Sequence, residues 1–197
     1  MKIKVLFAVL LSMAIAWSAS AQKLSGDLSP LKGQTKINVV LDFTGTLVNG
    51  KPEQTYIDNE TKKKNEADKA KWLSEWNNNL RADAYAMLIK NLNDTKWNTH
   101  SFSYGNHATA EYTIIVQVKD ITTGLFAGPI TRSSAVKADV NFVRTGETTP
   151  FATIVFKKCS GAFSSEMPHL ITRIAMSFGS LGMESGIMIT GTLNKYK

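Results

Sequence analysis

Apolar and polar residues alternate in several stretches of this chain and recur at three- and four-residue steps in two others. From Thr35 to Phe43, Ile37, Val39 and Leu41 fall on one side and Asn38, Val40 and Asp42 on the other. Both sides are partly apolar, which predicts a strand inside a sheet rather than at its edge. Gly45 ends it, and Asn49-Gly50-Lys51-Pro52 marks a turn. The stretch from Glu53 to Asp94 holds neither Gly nor Pro, and from Glu66 onward Leu73, Trp76, Leu80, Ala84, Met87 and Leu88 form one helical stripe. Asn65 is its predicted N-cap, with Glu66 and Asp68 where the helix dipole favours negative charge. His100 to Tyr104 alternates briefly, and Ala110 to Ile121 alternates strongly. Ser134–Arg144 and Pro150–Lys158 follow as two further strands, joined by a Thr-Gly-Glu-Thr turn and read as a hairpin. The residues between, Asp120 to Pro129, read as a loop. A second helix is predicted near the end, capped by Ser164 or Ser165, with Glu166 and Pro168 in its first turn and Leu170, Ile171, Ile174, Phe178 and Leu181 as its stripe. Gly179, Gly182 and Gly186 fall close to one face of it and predict a close approach to a neighbouring element. Residues 187–193 fit either the end of that helix or a short strand.

The predicted order is therefore β-α-β-β-β-α. It defines an α+β two-layer sandwich: a mainly antiparallel sheet of four to five strands, with two long helices on one face. Residues 35–197 form the single α/β domain, and 22–34, with Gly26, Pro30, Gly33 and no apolar period, form a flexible arm.

The first 21 residues read as a secretory signal. Lys2 and Lys4 are followed by an apolar run from Val5 to Ile15, and Ala19-Ser20-Ala21 is a small-x-small cleavage site. The mature chain is expected to begin at Gln22, a residue that can cyclise at a chain start. This reading places the protein in the periplasm or at the cell surface, without a transmembrane segment after cleavage. Within the 197 residues the formal charge is +7, spread out except for Lys62-Lys63-Lys64 and Lys157-Lys158. Neither cluster is interleaved with aromatics, so both read as solvated faces and no nucleic-acid partner is expected. Cys159, the single cysteine, excludes an intramolecular disulfide and reads as a small buried residue or as a site of pairing between chains.

One string has the form of a catalytic motif. Asp42-Phe43-Thr44-Gly45-Thr46-Leu47, at a strand end, resembles the nucleophile strand of haloacid-dehalogenase-type phosphatases. The resemblance implies Asp42 as nucleophile, Thr44 at the second position and Thr46 as the phosphate-binding hydroxyl. The family's paired acidic residues for magnesium are missing. After residue 94 the acids are Glu111, Asp120, Asp139, Glu147, Glu166 and Glu184, none adjacent to another. Three consecutive strands also depart from that family's alternation, so the plainer reading of the string is a strand end and its turn. Trp72 and Trp76, on successive turns of one helix face, are candidate glycan-stacking residues or, more simply, core. His100, His107 and His169 lack partners at ligand spacing, so neither a metal site nor a cofactor is expected. Nucleophile-elbow, Walker and dinucleotide fingerprints are absent from the sequence.

The strand Ile37–Phe43, the long helix, the strand Tyr112–Ile121 ending before Thr122-Thr123-Gly124, the strand Val136–Arg144 with its Thr-Gly-Glu turn, and the terminal helix carrying Ile174–Gly182 together resemble periplasmic α/β modules of the TolB amino-terminal-domain and curli-secretion-lipoprotein type. The likeness covers about residues 35–193. It departs from the lipoproteins in lacking an anchoring cysteine near the predicted cut. It implies a non-enzymatic binding or assembly role in secretion or surface-polymer export, through contacts with other envelope proteins or with further copies of the chain. The alternatives are a secreted phosphatase using Asp42 and a glycan-binding protein using Trp72 and Trp76.

Overall fold

The computed structural model describes residues 22–127, 130–161 and 169–196. The predicted leader, the predicted caps Ser164 and Ser165 with Glu166 and Pro168, and the Gly128-Pro129 pair lie outside them. The strands are β1 (Lys23–Gly26), β2 (Lys36–Asp42), β3 (Leu47–Val48), β4 (Lys51–Pro52), β5 (Ser103–Gly105), β6 (Tyr112–Thr122), β7 (Leu125–Ala127), β8 (Ile130–Arg132), β9 (Ala135–Arg144) and β10 (Ala152–Ser160). The helices are α1 (Glu53–Thr61), α2 (Glu66–Ser74), α3 (Leu80–Leu92) and α4 (Leu170–Leu193).

The fold is α+β, as the periodicities predict, but the sheet is larger and of another kind. It has eight strands, with a main path β1-β10-β9-β6-β2-β5 and the β3–β4 hairpin beside β6. It is mixed. β2 runs parallel to both β6 and β5, while β6, β9, β10 and β1 are antiparallel in succession. The meander expected from three long strands in a row is present as β6-β9-β10. The expected loop 120–129 instead ends in a small β7–β8 hairpin. The parallel pairing follows from the helical crossover between β2 and β6, because parallel neighbours need a long connection to return the chain.

The single long helix expected from Glu66 is present as one continuous helical run to Leu92, with a π turn inside it. Asn65 caps α2 as predicted, its side chain accepting from the Asp68 N–H at 2.9 Å. A π-helical turn over Glu75–Asn79 then separates α2 from α3. α1 is an additional helix. Its stripe is short and most of its residues are exposed or half-buried, so its periodicity is faint. At the other end α4 runs unbroken to Leu193, which assigns residues 187–193 to helix.

The segment expected as an arm is part of the body. β1 pairs with β10, Leu24 opposite Ile154, and a 3₁₀ turn follows at Ser29–Leu31. Leu28 and Leu31 are 0 % exposed, so they are core residues.

The core lies between α3, α4 and one face of the sheet. Ile37 and Val39 of β2, Ile114, Val116 and Val118 of β6, Val140 and Phe142 of β9, and Ile154 and Phe156 of β10 are buried against Leu80, Ala84, Leu88, Ile174, Phe178 and Leu181. The glycines of α4 make this possible. A Cβ at Gly182 would stand 2.5 Å from the Leu88 carbonyl oxygen, so only glycine lets α4 lie against the α3 backbone. On the opposite face Asn38, Val40, Asp42, Ile115, Gln117, Lys119, Asp139, Asn141, Thr153 and Val155 are half-buried or exposed. Among the described residues no helix is long and apolar enough to cross a membrane.

Candidate functional site

The motif string forms a turn whose polar groups are bound locally. Asp42 ends β2, and its Oδ1 accepts from the Thr44 N–H at 2.8 Å. The Thr44 hydroxyl and backbone N–H hold the Asp42 carboxyl below its usual range. Gly45 has φ +73°, a conformation that side chains resist, and Thr46 N–H closes the turn on the Phe43 carbonyl. Thr46 is buried and donates its hydroxyl to the Val118 carbonyl at 2.9 Å. Asp42, Thr44 and Thr46 are thus brought together, with Asp42 and Thr46 bonded to backbone.

Trp72 and Trp76 stack on each other, centroids 5.4 Å apart and planes at 7°, with Tyr56 of α1 against both. Trp76 is fully buried, and its indole N–H donates to Glu53 Oε1 at 2.6 Å. Trp72 is half-buried. Burial pushes the Tyr56 phenol up to about 12. The three rings join α1 to α2, and Trp76 offers no open ring face to a sugar.

The histidines lie in separate settings. His100 stacks on Phe102, His107 Nε2 is 3.0 Å from Ser103 Oγ, and His169 Nε2 is 3.9 Å from Glu75 Oε2. Among the described residues no group of three His, Cys, Asp or Glu side chains could hold a metal ion. Of the lysine runs, Lys62, Lys63, Lys157 and Lys158 are exposed. Cys159 is a buried free thiol, and burial together with the Glu184 charge pushes its pKa far up.

A feature without a residue motif stands out at the outer side of β2. β5 pairs only with Lys36, Ile37 and Asn38, after which the chain leaves the sheet at Asn106. Ser103 N–H donates to the Thr35 carbonyl at 2.8 Å, so alternation turns the peptide groups of Ile37, Val39 and Leu41 to this same side. Beyond Gly105 no strand among the described residues meets Val39 and Leu41 on this side. Beside this open stretch lies a cleft of about 390 Å³ lined by Val39, Val40, Leu41, Phe43, Arg81, Tyr85 and Asn106. Arg81 forms its wall. It donates to Glu53 Oε1 at 2.7 Å and to the Trp76 carbonyl at 2.9 Å, and lies 4.8 Å above the Phe43 ring. The Tyr85 hydroxyl is occluded and has no hydrogen-bond partner among the described residues. Val40, paired with β6 on one side, is 43 % exposed. The sequence signals β2 itself, but the length of β5, which opens the edge, leaves no mark in periodicity.

No family model matches the chain, and no curated protein matches it. Among solved structures, a PelC dodecamer from Paraburkholderia phytofirmans is similar with a TM-score of 0.42 and 7% identity, covering 86% of this chain and 96% of that one. A variant of the same dodecamer from that organism gives 0.35 and 8%, covering 80% of this chain and 95% of that one.

Proposed function

We propose that the chain is an exported, non-enzymatic binding module of the cell envelope, acting through protein contacts made at the open edge of β2. The observation that carries this reading is that the pairing with β5 ends at Asn38 and a cleft lies beside Val39, Val40 and Leu41 in its place. Unpaired strand edges attract further strands, and proteins usually blunt them with charge, proline, a bulge or a covering element. Val39, Val40 and Leu41 supply none of the first three, and the neighbouring edge strand stops three residues into the pairing. An extended segment laid beside Leu41 would continue β5's place in the sheet. Its alternate side chains would point toward Phe43 and Tyr85 or out beside Val40, the pattern of strand addition. Export rests on the leader read at residues 1–21.

Photocrosslinking residues at Val40 and at Asn106 test the reading in envelope extract. Both are expected to capture a polypeptide, while the same probe at Lys71, exposed on α2, captures none. A mass of two copies of the chain would name the partner as a second copy. Equal yields at all three positions, or no polypeptide adduct at 40 and 106, would overturn the proposal.

A further inference from the structure

Gln22, the first described residue, is half-buried where the sheet meets α4, and its side-chain amide donates to Glu184 Oε2. The same carboxylate oxygen lies 3.7 Å from Cys159 Sγ. Glu184 is the one charged residue between Ile174 and Leu193, flanked by Gly182, Met183, Ser185 and Gly186. Among the described residues no cation stands within ion-pair distance of it. Burial raises its carboxyl above the usual range, while contacts from Cys159 and Gln22 pull the other way. A half-buried carboxylate with only neutral partners is a costly arrangement, and a cation beside it would relieve the cost.

The predicted cut supplies one. Cleavage after Ala21 makes Gln22 the chain start and gives it an α-ammonium. That nitrogen belongs to the residue whose side chain already touches Glu184, so it lies within one glutamine side chain's length of the contact. We infer that removal of the leader completes an ion pair between the Gln22 α-ammonium and Glu184, and that this pair pins the start of β1 to α4. The site is a docking point for the processed terminus, and it rests on the leader reading for the position of the cut. Before cleavage the same nitrogen is a neutral peptide N–H, so the precursor lacks the pair. Cyclisation of Gln22 also removes it. The α-nitrogen bonds to Cδ, the Cδ–Nε2 bond breaks and ammonia leaves, so the charge and the amide donor contacting Glu184 are lost together.

The experiment compares three chains of defined start at pH 7: a free Gln22 amine, the pyroglutamyl form, and a chain retaining Ala19-Ser20-Ala21. Each is made with Glu184 and with Glu184→Gln. The free-amine chain is expected to melt about 2–4 °C above the other two, the shift that one modest ion pair produces in a domain of this size. The gap closes in Glu184→Gln. NMR titration of the α-amino group gives a second readout: with Glu184 present it titrates about one unit above the ordinary terminal range near 8, and it returns there in Glu184→Gln. Equal melting of all three chains, or a gap that survives Glu184→Gln, overturns the ion pair. The intact mass of the exported protein reports the cut separately, and a start elsewhere than residue 22 overturns the leader reading by itself.

Discussion

The Asp42 carboxylate serves the turn that ends β2. Thr44 bonds lower its folded pKa, so its contribution to stability is present above the ordinary carboxylate range near 4 and is lost as pH falls through the lowered folded value. Asn can accept the same Thr44 N–H bond but carries no charge. Asp42→Asn is therefore expected to cost under about 1 kcal/mol at pH 7, small because the turn is screened by solvent. The cost should shrink toward pH 3, as measured by urea unfolding at both values. The parent and Asp42→Asn are further expected to show the same background rate on a generic phosphate ester with magnesium. A magnesium-dependent rate lost in the variant would instead establish the phosphatase chemistry that the string resembles. The turn itself was readable from Gly45 and its neighbours. The Thr46 hydroxyl's acceptor, the Val118 carbonyl, was not, because it belongs to a strand 72 residues away.

At the scale of elements, α3 and α4 form the layer that covers the sheet. Gly182 lies where their backbones come closest, with the Leu88 carbonyl 2.5 Å from the position of an added Cβ. In a free helix Gly→Ala gains up to about 1 kcal/mol. Here the clash with a backbone atom outweighs the gain, and Gly182→Ala is expected to destabilise by about 1–3 kcal/mol in a denaturant titration. Gly191 has nothing within 4 Å of the same position, so Gly191→Ala is expected to stabilise. The glycine spacing was legible as a close approach, and the structure names α3 as the neighbour. The π turn between α2 and α3 was not legible, because Glu75–Asn79 contains no Gly or Pro and its flanking residues keep helical backbone angles.

For the whole molecule, the N-terminal segment closes the sheet on the side away from β5. It contributes β1, which covers Ala152–Val155 of the β10 edge, and the fully buried Leu28 and Leu31. A chain lacking residues 22–31 is expected to lose about 3–6 kcal/mol, the burial of two leucines, and to associate through the uncovered β10 edge. Urea unfolding and light scattering at the same concentration check both outcomes. An unchanged midpoint would show that the segment behaves as the arm its composition resembles. Both ends of the sheet are covered in part: β1 pairs with Ala152–Val155 of β10, and β5 with Lys36–Asn38 of β2.

The amino-acid sequence by itself determined the α+β class, the four long strands, the faces they bury, the Asn65 cap and the glycine face of α4. Those features are local: period, capping and turn chemistry are written in neighbouring residues. Tertiary structure decided that β2 runs parallel to β6, that β1 joins β10, that Trp72 and Trp76 stack on each other, and that β5 stops short. The three strand pairings depend on partners tens to more than a hundred residues apart, and on the requirement that peptide groups in a sheet find partners across it. Beside Val39 and Leu41 the pairing with β5 has already ended, and it is there that the candidate binding edge lies.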